Sequence, residues 1–294
     1  MKVGLIGLGA MGTGMARRLA QAGLLSTLWN RTESKAVALA AELGVVACPN
    51  PAALARESDL IVICVSADAD VLEVLEAMRE GLEQGKIIVD TSTIGVDTVL
   101  QAAERAADSG AWYIDAPVSG GKEGAHAGTL VMMVGGDGAA IDRAMPALAA
   151  MGRKVVRMGD SGQGQAAKAV NQVMCAGINQ AVCEALAFGQ ALGLDMDTTI
   201  GVLSAGAAGN WFLDHRGATM LLGSFEPGFK CALHYKDLAI CRRMLDELGV
   251  ASPVVEMTLK HYQRLLDQGH GEEDISALYR LKQAMFALGN KRSL

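Results

Sequence analysis

Residues 162–193 read GQGQAAKAVNQVMCAGINQAVCEALAFGQALG, an almost wholly apolar stretch with a narrow polar stripe. Its spacing predicts one long helix over 165–192, about 40 Å at about 1.5 Å per residue, longer than one small domain needs for its own core. Everything before it reads as one domain and everything after as another. A helix that is apolar all round is expected to be buried. Lys168, Gln172, Cys175 and Asn179 recur at helical spacing and share one face, with Asn171 one turn from Lys168. A lysine near the start of a helix meets the positive end of the macrodipole, and burial further disfavours its charge. That combination makes a proton donor near neutral pH. The competing reading is a surface lysine whose stem lies over apolar neighbours.

The chain has 294 residues, 51% of them hydrophobic, enough for one large or two ordinary domains. A formal net charge of -6 without a polybasic segment argues against nucleic-acid partners. No apolar run reaches the ~20 residues needed to cross a bilayer, so no membrane partner is expected. MKVGLIGLGAMG enters a strand with no signal-peptide cleavage pattern, and the expectation is a cytoplasmic protein. Cys48, Cys64, Cys175, Cys183, Cys231 and Cys241 lie in apolar contexts without a CxxC pair, so they read as reduced structural thiols. The five histidines are scattered, and no metal site is expected.

Lys2–Gly7 is a short β-rich run ending in Gly7-Leu8-Gly9-Ala10-Met11-Gly12, after which the helical pattern begins. A GxGxxG that closes a strand and opens a helix is a dinucleotide fingerprint: Gly7 makes the turn, Gly9 lets a pyrophosphate approach, Gly12 packs helix on strand. The next strand, 26–29, runs into Asn30-Arg31-Thr32. The carboxylate that takes a ribose 2′-hydroxyl is missing there, and an arginine fork beside a threonine hydroxyl suits the 2′-phosphate of NADP, with NAD possible. Helices at 33–44, 51–57 and 71–80 alternate with strands at 60–65 and 86–90, which predicts a mostly parallel α/β sheet. Val65-Ser66 and Thr91-Ser92-Thr93 fall at carboxyl ends of strands, as cofactor contacts or as helix caps. After the strand 112–115 comes Ala116-Pro117-Val118-Ser119-Gly120-Gly121, a run of small residues that forms either an anion-binding nest or an ordinary tight turn. Strands at 129–135 and 154–158 flank a helix at 139–151.

Beyond Gly193 the segments 197–204, 211–222, 235–248, 253–268 and 274–288 read as helices, with Gly193, Gly249 and Gly269 at C-terminal ends. The expected organisation is a dinucleotide-binding Rossmann domain, 1–162, and an all-helical substrate and dimerisation domain, 163–294, with 165–192 as the interdomain helix. A helical domain this apolar is expected to complete its core as a homodimer or homotetramer.

Taken together, the glycine motif at 7–12, Asp115-Ala116-Pro117-Val118-Ser119-Gly120-Gly121, Gly164-x-x-x-Lys168-x-x-Asn171-Gln172 and Lys236-Asp237-Leu238 resemble the β-hydroxyacid dehydrogenase family over essentially the whole chain. The resemblance implies a Rossmann domain, a long interdomain helix and a helical domain. It further implies hydride exchange between a nicotinamide and a small carboxylated hydroxy acid or aldehyde. By position, Lys168 matches the catalytic lysine, Ser119, Gly120 and Gly121 the substrate-carboxylate turn, and Asn171 and Gln172 the carboxamides beside the lysine. Thr93 matches a cofactor-contacting hydroxyl, Lys236 a lysine near the nicotinamide, and Asn210-Trp211 a substrate-pocket segment, although Trp211 also suits core packing. Two departures stand out: Cys64-Val65-Ser66 occupies the place of the family's usual Met-Leu-Pro, and Gln172 replaces a second asparagine found in some members. Imine reduction and a non-catalytic nucleotide-binding scaffold are the alternatives on the same fold, and the presence of Lys168 argues against both.

Overall fold

The computed structural model describes residues 1–290. The chain divides into two compact units, Met1–Lys168 and the remainder from Ala169 onward. In the first, elements follow in the order β1 (Val3–Ile6), α1 (Ala10–Gln21), β2 (Leu25–Trp29), α2 (Glu33–Leu43), β3 (Val46–Ala47), α3 (Pro51–Glu57), β4 (Leu60–Ile63), α4 (Asp68–Met78), β5 (Ile87–Asp90), α5 (Val96–Ala107), β6 (Trp112–Asp115), β7 (Val118–Ser119), α6 (Gly121–Ala127), β8 (Leu130–Gly135), α7 (Gly138–Met151) and β9 (Gly152–Gly159). Among the described residues they build a nine-stranded sheet, β3-β2-β1-β4-β5-β6-β8-β7, with β9 on β8.

Strands β1 to β6 pair in parallel, in registers such as Val3↔Leu60, Leu60↔Ile87 and Ile87↔Trp112. Only the pairings of β8 with β6 and β7 are antiparallel. β1, β4 and β5 are buried at every position because helices cover both faces, which is why they read as unbroken apolar runs. The pleat sorts them: Leu60 and Val62 join the cluster with Met15, Leu19 and Leu148, while Ile61 and Ile63 join that with Leu54, Leu75 and Val99. Strand order reverses at β1, so the carboxyl ends of β1 and β4 flank the crevice where such sheets bind ligands.

Most expected elements are present within a few residues of their expected bounds. The helix α5 and the short elements β3, β7 and α6 go beyond what the sequence pattern predicts, and α6, GKEGAHA, contains the glycines that normally argue against a helix.

Helix α8 (Gln163–Ala191) starts inside the first unit and continues as the first helix of the second. The second unit adds α9 (Met196–Ala205), α10 (Trp211–Leu221), α11 (Cys231–Glu247), α12 (Pro253–Asp267) and α13 (Leu278–Asn290), the last preceded by a 3-10 turn at Ile275–Ala277. Its core gathers Leu186, Phe212, Leu238, Leu259, Tyr262 and Tyr279. One expectation fails: α8 is not buried all round, since Val170 is 66% and Met174 64% exposed. No helix among the described residues is long and apolar enough to cross a membrane.

Candidate functional site

Gly7 and Gly12 after β1 are set by contacts that no side chain survives. A Cβ at Gly7, where φ is +97°, would lie 2.2 Å from the Cys64 carbonyl oxygen, and one at Gly12 would lie 1.9 Å from the Gly7 carbonyl oxygen. At Gly9, the residue just before α1, a Cβ would meet nothing within 4 Å. No side chain caps this helix and its first turn holds no acidic residue. Open space over uncapped N–H groups at the positive end of a helix fits the pyrophosphate of a dinucleotide.

Asn30 supports this loop rather than facing outward: its Oδ1 accepts from Leu8 N at 2.9 Å and its amide donates to the Thr32 carbonyl at 3.0 Å. Arg31 extends from the end of β2, and its Nη1 lies 3.3 Å from Asp70 Oδ1 on α4. Thr32 precedes α2 without a side-chain cap bond.

The loops after β4 and β5 are tied together. Ser92 Oγ accepts from Val65 N at 3.0 Å, and Thr91 Oγ1 donates to the Ile63 carbonyl at 2.8 Å. Asp68 Oδ1 accepts from Gly95 N at 2.9 Å and from Thr98 Oγ1 at 2.8 Å. Of the three hydroxyls at 91–93, two thus serve the loop itself, and Thr93 is half-buried. Beneath them lies Asp90, fully buried, accepting from Tyr113 OH at 2.6 Å and Ser92 N at 2.9 Å. Burial pushes its carboxyl up to about 6, against the opposing bonds from Ser92 and Tyr113. Burial likewise pushes the Cys64 thiol up to about 11.

The turn at 119–121 has Gly120 at φ +132° and Gly121 at φ +62°, so both positions need glycine. Ser119 is half-buried beside it and pairs with Val131 across the sheet. Lys168 is 7% exposed and its Nζ donates to the Val118 carbonyl at 2.9 Å. The ammonium therefore sits on the strand that leads into this turn, and the lysine is not at the surface. Gln165, one turn earlier, donates to the Ser92 carbonyl at 2.7 Å and accepts from Ile94 N at 3.3 Å. In the first unit, then, these bonds tie the loop after β1 to the end of β2, the loops after β4 and β5 to one another, and the first turns of α8 to the loop after β5 and to β7.

Within the second unit a separate chain of contacts forms. Asn171 Nδ2 donates to Gln172 Oε1 at 2.8 Å, Gln172 Nε2 to Asp237 Oδ2 at 2.7 Å, and Lys236 Nζ lies 3.0 Å from Asp237 Oδ1. The buried carboxylate of Asp237 thus joins the expected carboxamide to the expected lysine. Asn179, on the same predicted stripe, belongs instead to the core, donating to Tyr262 OH at 2.8 Å and the Ile275 carbonyl at 2.9 Å. Trp211 is 58% exposed and stacks on His215 at 4.2 Å, which removes the core-packing reading. The sequence reading gave no role to Gln165, Asp90, Asp115 or Asp237. Its available signal was a carboxylate ending each of two apolar strands, where an acidic residue is seldom fully buried.

Comparison with known proteins agrees with this arrangement. Residues 2–159 match the NAD binding domain of 6-phosphogluconate dehydrogenase, and residues 162–282 match the NAD-binding domain of NADP-dependent 3-hydroxyisobutyrate dehydrogenase. The chain is 35% identical to 2-hydroxy-3-oxopropionate reductase of Escherichia coli K12 over 97% of its length and 98% of that protein. Among solved structures it resembles Mycobacterium tuberculosis 3-hydroxyisobutyrate dehydrogenase with L-serine, at TM-score 0.86 and 28% identity over 95% of this chain and 98% of that one. It also resembles Psf3 in complex with NADP+ and 2-OPP, at TM-score 0.87 and 28% identity over 95% and 99% of the two chains. With an open, uncapped helix start after the Gly7–Gly12 turn, a buried lysine bonded to the strand that enters a glycine turn, and both family models matched in order, the chain belongs to the β-hydroxyacid dehydrogenase family of NAD(P)-dependent oxidoreductases.

Proposed function

We propose that this protein interconverts a short β-hydroxy acid and its semialdehyde, or reduces a small aldehyde acid, with NADP(H) preferred over NAD(H). Glyoxylate, succinic semialdehyde, tartronate semialdehyde and 3-hydroxyisobutyrate define the substrate class. The observation that carries the reading is the Lys168 ammonium held 2.9 Å from the Val118 carbonyl, one residue before the Ser119–Gly121 turn. When bound, the nicotinamide supplies or accepts the hydride. Gly7–Gly12 and α1 hold the pyrophosphate, while Arg31 takes the 2′-phosphate. Thr93 contacts the cofactor and Lys236 stands near the nicotinamide, a reading supported by the family resemblance, while Val65 and Ser66 contact the cofactor at positions where the chain departs from the family's usual Met-Leu-Pro. The Ser119–Gly121 turn binds the substrate carboxylate, so its distance from Lys168 Nζ selects short substrates. Asn171, Gln172 and Trp211 complete the substrate contacts. Lys168 donates a proton to the carbonyl oxygen in reduction and removes the hydroxyl proton in oxidation, and its charge also stabilises the developing oxyanion.

A panel of glyoxylate, succinic, tartronate and methylmalonate semialdehydes, 3-hydroxyisobutyrate and serine with both cofactors identifies the substrate. General acid catalysis alone contributes about 10²–10⁴-fold, so Lys168→Ala is expected to lose at least that in kcat on the best member, with NADPH affinity and circular dichroism unchanged. Retention of more than a tenth of wild-type kcat would assign the proton to another group.

A further inference from the structure

Asp115 ends β6 with its side chain fully buried. Its Oδ1 accepts from Gly162 N at 2.8 Å and its Oδ2 from Gln165 N at 2.9 Å. Both oxygens thus receive backbone N–H groups of the turn that opens α8; burial pushes the carboxyl up from its ordinary value, and these bonds oppose that by favouring the ionised form. The space around them exists because two neighbours lack side chains. A Cβ on Gly135 would stand 2.6 Å from Oδ1, and one on Gly164 2.7 Å from Oδ2. A carboxylate 47 to 50 residues upstream therefore does for α8 what an N-cap side chain does for other helices, and its negative charge meets the positive helix end.

Three residues beyond Asp115 in the same segment, the Val118 carbonyl accepts from Lys168 Nζ. The segment 115–118 thus grips the start of α8 twice, at its first N–H groups and at the ammonium on its second turn. We propose that Asp115 is a positioning residue for proton transfer: by anchoring the first turn of α8 it holds Lys168 against the Ser119–Gly121 turn, and it affects the reaction only through Lys168. This rests on the catalytic reading of Lys168. An asparagine at 115 keeps the shape, but its amide faces a backbone N–H at one of the two anchor points, and the helix start must shift. Misplacement of a reacting group by about 1 Å can cost about 10²-fold.

The test is a double-mutant cycle on the full chain, with Asp115→Asn, Lys168→Ala and both together. It reads kcat on the best substrate, NADPH affinity by fluorescence titration, and the thermal midpoint. Asp115→Asn alone is expected to lose about 10- to 100-fold in kcat with NADPH affinity within about twofold. In the Lys168→Ala background the same change is expected to alter the residual rate by less than about twofold, although it lowers the thermal midpoint equally in both backgrounds. A merely structural role would carry the kcat loss into both backgrounds. That additive result, or an Asp115→Asn protein keeping more than half of wild-type kcat, overturns the proposal. A Lys168→Ala protein that keeps its kcat instead overturns the catalytic reading and the proposal with it. Should Asp115→Asn not fold, Asp115→Ser, whose hydroxyl still accepts one of the two N–H groups, takes its place in the cycle.

Discussion

Arg31 already shares its charge with Asp70, at 3.3 Å and largely in solvent, so a 2′-phosphate arriving there exchanges for a carboxylate. A hydrogen bond to a charged group is worth about 1.5–3 kcal/mol, and Arg31→Ala is expected to weaken NADPH binding about 10- to 100-fold while NADH changes little. Exposed ion pairs are worth only about 0.2–1 kcal/mol, so Asp70→Asn, which removes the competitor, is expected to tighten NADPH no more than about fivefold. Fluorescence titrations with both cofactors measure this, and equal loss for NADH and NADPH in Arg31→Ala would refute the fork. Asp90 makes a second residue-level prediction. Burial lifts its folded carboxyl to about 6, above an ordinary value near ~3.9. Between those values the folded chain holds a proton that the unfolded chain has lost, so stability falls as pH rises through the window, by on the order of 2–3 kcal/mol, and the loss persists above it. In Asp90→Asn the amide donates to Tyr113 OH, no charge is buried, and the thermal midpoint is expected to exceed wild type at pH 8, to exceed it by less at pH 5, and to match it only below ~3.9. Lys168 and the glycine motif were legible because their residue types and spacing are local. Asp115 and Gln165 were not, because their partners lie across the fold, at sequence separations of 47 to 73 residues.

Among the elements, the glycine turn separates fold from ligand. Gly9→Ala introduces a methyl into open space, whereas at Gly12 the methyl would overlap the Gly7 carbonyl. Gly9→Ala is therefore expected to keep the wild-type thermal midpoint yet lose NADPH affinity, and Gly12→Ala to lose both, by thermal denaturation and titration. The parallel strands were readable because burial on both faces leaves unbroken apolar runs. Helix ends were readable where glycine takes a left-handed conformation, as at Gly193, Gly249 and Gly269, with φ of +73°, +69° and +84°. Short elements such as β3 and β7, two residues each, carry no periodicity and exist only through their neighbours. Lys86 marks the same limit: its buried Nζ donates to the carbonyls of Ala55, Arg56 and Ser58 at 2.7, 3.2 and 2.9 Å, closing the C-terminal end of α3 from the residue just before β5.

For the molecule as a whole, apolar surface remains uncovered on the helical unit. Val170, Met174 and Phe188 of α8 are exposed, and a cleft of about 640 Å³ lined by Ala181, Phe188, Val254, Met257 and Phe286 borders α12 and α13. A face of this kind calls for a symmetric partner, and light scattering at micromolar concentration is expected to give a dimer or tetramer mass; a monomer would contradict it. The interior carries another consequence, in its thiols. Cys48, Cys183, Cys231 and Cys241 are buried and in no disulfide among the described residues, and burial lifts the Cys231 thiol to about 12 and holds those of Cys48 and Cys183 above the ordinary value. An alkylating reagent needs a thiolate it can reach, so each of these sulfurs stays silent until its surroundings open. Because Cys48 lies in the first unit and Cys183, Cys231 and Cys241 in the second, the order in which they become labelled is an internal clock. It times the opening of each half separately, with no probe added to the chain.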